Sequence, residues 1–148
     1  MCAVLGHWEG DLIIAKDHTS ALSVIVERQT PYVLIDQPEN YIAPEVRKTI
    51  EKRLKTLGPQ LVKCSTCDQG KEMAEHECLA SSIKMKVYFC HSHSPWEKAA
   101  CENTNFLIRG MLEAQSDFRR PSQESITRIA RLLNDRPRQT LGINIRNK

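Results

Sequence analysis

The sequence predicts an α/β fold in which a mixed five-stranded sheet is flanked by helices. The first third of the 148-residue chain is dominated by apolar segments in which side chains alternate with the period of two that is typical of strands. The rest alternates between short strand candidates and segments with the period of nearly four that is typical of helices. The resulting order of elements is βββαβαβαα. Strands separated by helices imply parallel crossovers, so the sheet is predicted to be mixed.

The first three elements are strand candidates. Residues 7–15 (HWEGDLIIA) and 20–27 (SALSVIVE) are rich in β-branched and apolar side chains. Residues 31–36 (PYVLID) follow after a short polar connection. Because this connection is short, the three strands are predicted to form an antiparallel meander.

The remaining elements alternate helices and strands. In the first helix candidate, Val46, Ile50 and Leu54 share one face, Pro44 lies in the first turn, and Gly58 follows the last turn. The later predicted elements are a strand over 61–67, a helix from about 71 to 82, a strand over 86–90, a helix opened by Ser94 and Pro95 that runs to about 114, and a helix from about 122 to 135.

Composition indicates one globular domain over residues 1–148. Hydrophobic residues make up 41% and charged residues 26%, which is ordinary for a folded domain. The sequence has neither a signal peptide pattern nor the roughly 18 apolar residues of a membrane span, so we expect a cytoplasmic protein without membrane association. The six cysteines are then expected to be reduced thiols.

Basic residues are concentrated in the last third of the chain, although the net charge is only +3. Arg109, Arg136 and Arg138 are candidates for contacts with phosphate groups. A solvated helix face with an excess of arginine is an equally good interpretation, and pairing of Arg136 and Arg138 with nearby carboxylates is another.

Three acidic residues lie in distinctive settings: Asp11 in an apolar strand, Asp68 where a strand meets a glycine turn, and Glu102 on a helix. Each has a structural explanation that would be favoured if it stood alone, namely an exposed strand end, an Asx turn or helix cap, and a surface carboxylate. Together they place oxygen ligands at a strand edge and on a nearby helix, and Mg²⁺ and Mn²⁺ prefer oxygen ligands. Asn105 and Arg109 share the helical face of Glu102.

Short motifs surround these acids and extend over residues 6–142. They are 7–13 (HWEGDLI), 26–28 (VER), 68–72 (DQGKE), 87–89 (VYF), 94–96 (SPW), 102–105 (ENTN) and 133–142 (LNDRPRQTLG). In order and spacing they resemble the catalytic core of the DDE transposases of bacterial insertion sequences, and within these the insertion sequence 30 family.

This resemblance implies a ribonuclease H-like fold, also used by retroviral integrases, and DNA cleavage and strand transfer through two Mg²⁺ or Mn²⁺ ions. Asp11, Asp68 and Glu102 would be the catalytic metal ligands, with Asp11 bridging the ions. Glu9 points to the same side of the strand as Asp11. Glu9 and Asn105 would contact the metal ligands and help to hold them in place. The partners would be transposon ends, target DNA and further copies of the chain. The residues implied to contact DNA are Lys71, Arg109, Arg136 and Arg138.

The chain departs from the family pattern around Glu102. Ala99 and Ala100 lie in a stretch that usually carries glycine, and Phe106 stands where the family has glycine. The Phe106 ring is expected to narrow the approach of DNA. Members of the family also carry an N-terminal helix-turn-helix region. Because this sequence starts almost at the first catalytic motif, we expect it to lack that region and to lack site-specific recognition of element ends.

Two other functions stay open at this point. One is a ribonuclease H-like nuclease that cleaves without strand transfer, and the other is an inactive or truncated remnant that binds DNA or transposase subunits without turnover.

A zinc site is disfavoured, because Cys64 and Cys67 fall in a predicted strand, where positions i and i+3 face opposite sides. The remaining members of that zinc ligand set would be Cys90, His91 and His93.

Overall fold

The computed structural model describes residues 5–14, 20–40, 42–67, 76–90, 99–114 and 121–135. These residues form five strands: β1 (His7–Ile14), β2 (Ala21–Glu27), β3 (Val33–Asp36), β4 (Cys64–Cys67) and β5 (Lys86–Phe89). They also form four helices: α1 (Ala43–Leu54), α2 (His76–Ile83), α3 (Ala99–Ala114) and α4 (Gln123–Asp135). The predicted fold class and order of elements are therefore confirmed.

The sheet has the strand order β3-β2-β1-β4-β5. The strands β3, β2 and β1 pair antiparallel, which confirms the predicted meander. The strand β4 pairs parallel with β1 on one side and with β5 on the other, which confirms the predicted crossovers. In this ladder Cys67, the last residue of β4, pairs with Gly10, so that β1 continues beyond the end of its neighbour.

The predicted start of β4 at residue 61 is wrong by three residues. A single 3₁₀ turn, Pro59–Leu61, occupies the beginning of that segment, and the Leu61 N–H donates to the Gly58 carbonyl at 2.9 Å. The turn leaves the Leu61 carbonyl free to accept a hydrogen bond from the Trp8 indole at 2.8 Å. The predicted starts of α2 and α3, near residues 71 and 94, lie outside the described residues.

Different pairs of helices cover the two faces of the sheet. Helices α3 and α4 cover one face, where Ile13, Val24 and Ile35 of the sheet pack with Ile108 and Leu133. Helix α1 and the α2 region cover the other face, which carries Trp8 and Leu34. The strands β1, β2 and β3 therefore supply alternate side chains to two apolar cores. In the part of the chain that the structure describes, no helix is long and apolar enough to cross a membrane.

The outer edge of β3 is closed by one side chain of α4. The Asn134 Oδ1 accepts a hydrogen bond from the Val33 N–H at 2.7 Å, and its Nδ2 donates to the Val33 carbonyl at 2.9 Å. The Asn134 amide thereby takes the place that a further strand would have. Such a cap protects an exposed sheet edge from pairing with another chain.

We expect the Asn134→Ala substitution to lower the free energy of unfolding by about 2–3 kcal/mol, because it leaves a buried N–H and a buried carbonyl without partners. Urea denaturation of both variants measures the difference. Arg131→Ala, at an exposed position of the same helix, is the control and is expected to change stability by no more than about 0.5 kcal/mol. Equal effects of the two substitutions would contradict this role of Asn134.

Candidate active site

Asp11 lies on β1, one residue beyond the level at which β4 ends. This position is the C-terminal edge of the parallel strand pair, where open α/β sheets tend to bind ligands. The side chain is half-buried. Its Oδ1 accepts a hydrogen bond from the Leu12 N–H at 2.8 Å, and its Oδ2 accepts one from the Asn105 Nδ2 at 2.9 Å. The carboxylate is therefore oriented by contacts from both its own strand and α3.

Gly10, the residue before Asp11, allows β4 to lie close to β1 at this edge. A Cβ atom at Gly10 would lie 3.3 Å from the Cys67 Sγ and 3.7 Å from the Ser65 Oγ. The first of these distances is tighter than an ordinary carbon–sulfur contact. A larger residue in this position would therefore crowd the Cys67 side chain at the end of β4.

Glu102 lies in the first turn of α3 and its side chain is exposed. Asn105, three residues later, lies on the same flank of the helix. Because Asn105 donates to the Asp11 carboxylate, this flank of α3 faces the Asp11 end of β1. The structure thus brings the helix turn of Glu102 beside Asp11. Asp68, the third predicted ligand, lies outside the described residues.

Glu9 links β1 to the start of α3. Its side chain is only 2% exposed. The Oε1 atom accepts a hydrogen bond from the Cys101 backbone N–H at 3.0 Å, and the Oε2 atom lies 3.0 Å from the Arg28 Nε. Cys101 immediately precedes Glu102, and a carboxylate at the positive N-terminal end of a helix is electrostatically favourable. Glu9 therefore fixes the turn that carries Glu102.

The described side chains at this edge suit a divalent metal ion. The Asn105 Oδ1 is a buried acceptor with no hydrogen-bond partner, and it belongs to the same amide that donates to Asp11. Carboxylate and amide oxygens are the donors that Mg²⁺ and Mn²⁺ prefer. Within the described ranges, no three His, Cys, Asp or Glu side chains form a group that could hold a metal ion.

Of the four residues implied to contact DNA, only Arg109 lies in the part of the chain that the structure describes. Arg109 is half-buried on α3, seven residues after Glu102 and on the same flank. Phe106 is 76% exposed and lies toward the solvent side of that helix. The residues implied to contact DNA that lie outside the described part of the chain are Lys71, Arg136 and Arg138.

The cysteines of the disfavoured zinc set do not converge. The Cys64 Sγ lies 2.7 Å from the His7 Nδ1, whereas Cys67 is buried on the opposite side of the strand, beside Gly10. The predicted opposite orientation of these two residues is confirmed. His91 and His93 lie outside the described residues.

Sequence reasoning missed the roles of Glu27 and Arg28, which follow one another at the end of β2. Arg28 pairs with the buried Glu9. Glu27 is 4% exposed and accepts hydrogen bonds from the backbone N–H groups of Gly6 and Thr30, at 3.3 and 2.6 Å. A signal was present, because a glutamate on an otherwise apolar strand needs a partner when it is buried.

The chain is similar to curated transposases over 93% of its length. It is 43% identical over 137 residues to the transposase for insertion sequence element IS1086 of Cupriavidus metallidurans. It is 35% identical over 137 residues to the transposase InsI for insertion sequence element IS30A of Escherichia coli. The chain spans 40% and 36% of the lengths of these two relatives. No family model matches the chain.

One solved structure with a similar fold is a cryo-electron-microscopy structure of the simian T-cell lymphotropic virus intasome in complex with a PP2A regulatory subunit. One of its chains matches with a TM-score of 0.73 at 18% sequence identity, covering 89% of this chain and 50% of that chain. This likeness confirms the ribonuclease H-like fold.

Proposed function

Because this chain belongs by sequence to the transposases of the insertion sequence 30 family, we propose that it is the catalytic core of a DNA transposase. Its substrate is the phosphodiester backbone of transposon ends and target DNA, and its reaction is cleavage followed by strand transfer. The main support is the hydrogen bond from Asn105 to Asp11, which holds the helix turn of Glu102 against the strand edge.

We assign the metal-binding carboxylates to Asp11, Asp68 and Glu102. Asp11 has a half-buried carboxylate at the strand edge, and Glu102 has an exposed one on the facing helix. Asp68 is assigned to the same edge because Cys67, the residue before it, pairs with Gly10, the residue before Asp11. The ligands would then come from two adjacent parallel strands and from one helix.

A pair of Mg²⁺ or Mn²⁺ ions, when bound, supplies activation of the attacking hydroxyl and stabilisation of the leaving oxygen. Asp11 would hold both ions, and Asp68 and Glu102 would hold one each. Asn105 orients the Asp11 carboxylate through its Nδ2 and offers its unpartnered Oδ1 to the site. Glu9 holds the first turn of α3 in place. These contacts restrict the motion of the carboxylates, which favours a preorganised site.

We further propose that the chain acts on DNA as a homo-oligomer. The solved neighbour is a chain of an intasome, and the curated relatives are transposases. Strand transfer joins separate DNA segments, so that a complex in which several active sites are held together suits the reaction.

The proposed function is tested by incubating the chain with a supercoiled plasmid, a labelled oligonucleotide duplex and Mn²⁺ or Mg²⁺. Gel electrophoresis then measures nicking of the plasmid and joining of the label to it. We expect nicked plasmid and covalent joining of the label to the plasmid, and removal of the metal by EDTA is expected to abolish both products. Ca²⁺, which is larger and accepts looser coordination, is the control ion.

The products separate the alternatives. Nicking without joining would favour a ribonuclease H-like nuclease, and binding without either product would favour an inactive remnant. Cleavage that persists in EDTA would contradict the proposed metal site.

A further inference from the structure

One part of the sheet beside the candidate active site is left accessible by α3 and α4. Neighbouring residues in register on parallel strands point to the same side of a sheet. The register places Thr66 beside Glu9, and Tyr88 beside Thr66. Cys64 lies beside His7, and Lys86 lies beside Cys64. We call this region the open face, and its residues are Cys64, Thr66, Lys86 and Tyr88.

Two side chains of the open face are exposed to solvent. Tyr88 is 52% exposed and Lys86 is exposed, while Cys64 and Thr66 are half-buried. In contrast, Val87, on the other side of the same strand, packs against the core beneath α1 and α2. An aromatic ring that projects from a strand into solvent does not contribute to a core, and such a ring beside a candidate active site suggests a binding role.

Helix α3 forms a wall along one margin of the open face. At about 100° of rotation per residue, Glu102, Asn105 and Arg109 lie along one flank of the helix. The contact between Asn105 and Asp11 shows that this flank is the one nearer β1, and Leu107 on the opposite flank packs into the core. Glu102 and Arg109 are therefore directed toward the side on which β4 and β5 lie.

Tyr88 lies across the open face from the first turn of α3. The Cys101 N–H of that turn is bonded to Glu9, and Tyr88 lies at the level of Glu9, two strands away. Two strand spacings correspond to about 10 Å. The first turn of α3 and Tyr88 are therefore about two strand spacings apart, with Thr66 of β4 between them.

We propose that the open face binds an unpaired stretch of the DNA substrate, with one base stacked on Tyr88 and an adjacent phosphate paired with Lys86. This inference rests on the proposed function. Aromatic rings interleaved with cations are typical of surfaces that bind single strands, because every base has a π-face and every phosphate has a negative charge. In a duplex the base faces are covered by their neighbours, so that only a base that has left the stack can lie on the Tyr88 ring.

Charge favours DNA as the occupant of the open face. The carboxylates at the Asp11 edge repel a phosphate backbone unless a metal ion neutralises them. Lys86 supplies a positive charge at the other end of the open face, and it forms no ion pair with the residues that the structure describes. A strand that passes from Lys86 over Tyr88 to the metal site meets cation, ring and metal in turn.

Binding of fluorescein-labelled duplexes, measured by fluorescence anisotropy in Ca²⁺, tests the proposal. The wild-type chain is expected to prefer a duplex with a 3′ single-stranded overhang to a blunt duplex. Tyr88→Leu is expected to weaken overhang binding about tenfold, the range of one base–aromatic stack, and to leave blunt-duplex binding unchanged. Tyr88→Trp is expected to retain the preference. Tyr32→Leu, at a tyrosine that is 37% exposed at the opposite end of the sheet, is the matched control.

Alkylation of the native cysteines by iodoacetamide gives a second measurement that needs no substitution. Cys64 lies on the open face, whereas Cys78 is exposed on α2, on the other side of the sheet. Mass spectrometry is expected to show that overhang DNA slows alkylation of Cys64 and leaves that of Cys78 unchanged. Equal alkylation of Cys64 with and without bound DNA would overturn the proposal.

The outcomes separate this inference from the proposed function. If the chain cuts DNA in a metal-dependent manner while Tyr88→Leu behaves like Tyr32→Leu, the inference about the open face is wrong and the proposed function stands. If Tyr88→Leu loses overhang binding in a chain that never cuts DNA, the open face is supported and the proposed catalytic function is wrong.

Discussion

Replacing Glu102 by glutamine is expected to slow DNA cleavage roughly a thousandfold, which corresponds to about 4 kcal/mol of transition-state stabilisation. Glutamine retains the shape and the helix propensity of glutamate but removes the negative charge that a divalent ion needs. Glu102 is exposed and forms no ion pair with any described residue, so the free energy of unfolding is expected to change by no more than about 0.5 kcal/mol. Initial rates of plasmid nicking in Mn²⁺, together with thermal unfolding, measure the two effects.

Glu124→Gln is the matched control for this substitution. Glu124 is also exposed and also lies in the first turn of a helix, α4, so that both substitutions remove a similar interaction with a helix N-terminus. The Glu124→Gln variant is expected to cut DNA at the wild-type rate. Asp68→Asn is expected to show the same loss of cleavage as Glu102→Gln. If Glu102→Gln and Glu124→Gln had the same rate, Glu102 could not be a metal ligand.

The local sequence pattern predicted where these acids lie, but it could not predict what they meet. Apolar neighbours placed Asp11 on a strand, and helical periodicity placed Asn105 on the flank of Glu102. The contact between Asn105 and Asp11 joins residues that are 94 positions apart in sequence. Periodicity within one helix does not specify which strand that helix covers, because the choice depends on packing between distant segments.

The same limit explains the error at the start of β4. The apolar residues at 61 and 62 have the composition of a strand, and a local pattern cannot distinguish them from one. In the fold, Pro59 favours a tight turn, and the Trp8 indole, 53 positions away, takes the Leu61 carbonyl as its acceptor. The strand begins at Cys64, the first residue in register with both β1 and β5.

The alternation of β1 correctly places Glu9 on the side of Asp11, yet it does not show that Glu9 is buried and bonded to α3. In the structure, Glu9 forms an ion pair with Arg28, which follows β2. It also accepts a hydrogen bond from the Cys101 N–H of the helix that carries Glu102. Because this carboxylate is held from both sides, it fixes the position of the Glu102 turn relative to the sheet. Substitution of Glu9 is therefore expected to change both the stability and the metal dependence of the chain.

Glu9→Ala is expected to lower the free energy of unfolding by about 2–4 kcal/mol, because the Cys101 N–H and the Arg28 guanidinium both lose their acceptor. This loss of stability is smaller than the loss expected when a fully buried ion pair is broken. The Arg28 side chain is 35% exposed, so water can replace part of the contact. Glu9→Gln keeps a carbonyl oxygen for Cys101 and is expected to cost about half as much. Urea denaturation measures both variants.

The activity of Glu9→Gln distinguishes a positioning role from a purely structural one. If Glu9 holds the Glu102 turn, the Mn²⁺ concentration for half-maximal cleavage is expected to rise by about tenfold to a hundredfold, as it does when a partner of a metal ligand is lost. Glu27→Gln is the matched control, because Glu27 is also a buried glutamate at the same end of the sheet, but its carboxylate accepts hydrogen bonds from Gly6 and Thr30. It is expected to lose stability without a change in metal dependence. A shift of the Mn²⁺ dependence in Glu27→Gln as large as that in Glu9→Gln would mean that general loosening of the sheet, and not the bond from Glu9 to α3, governs the site.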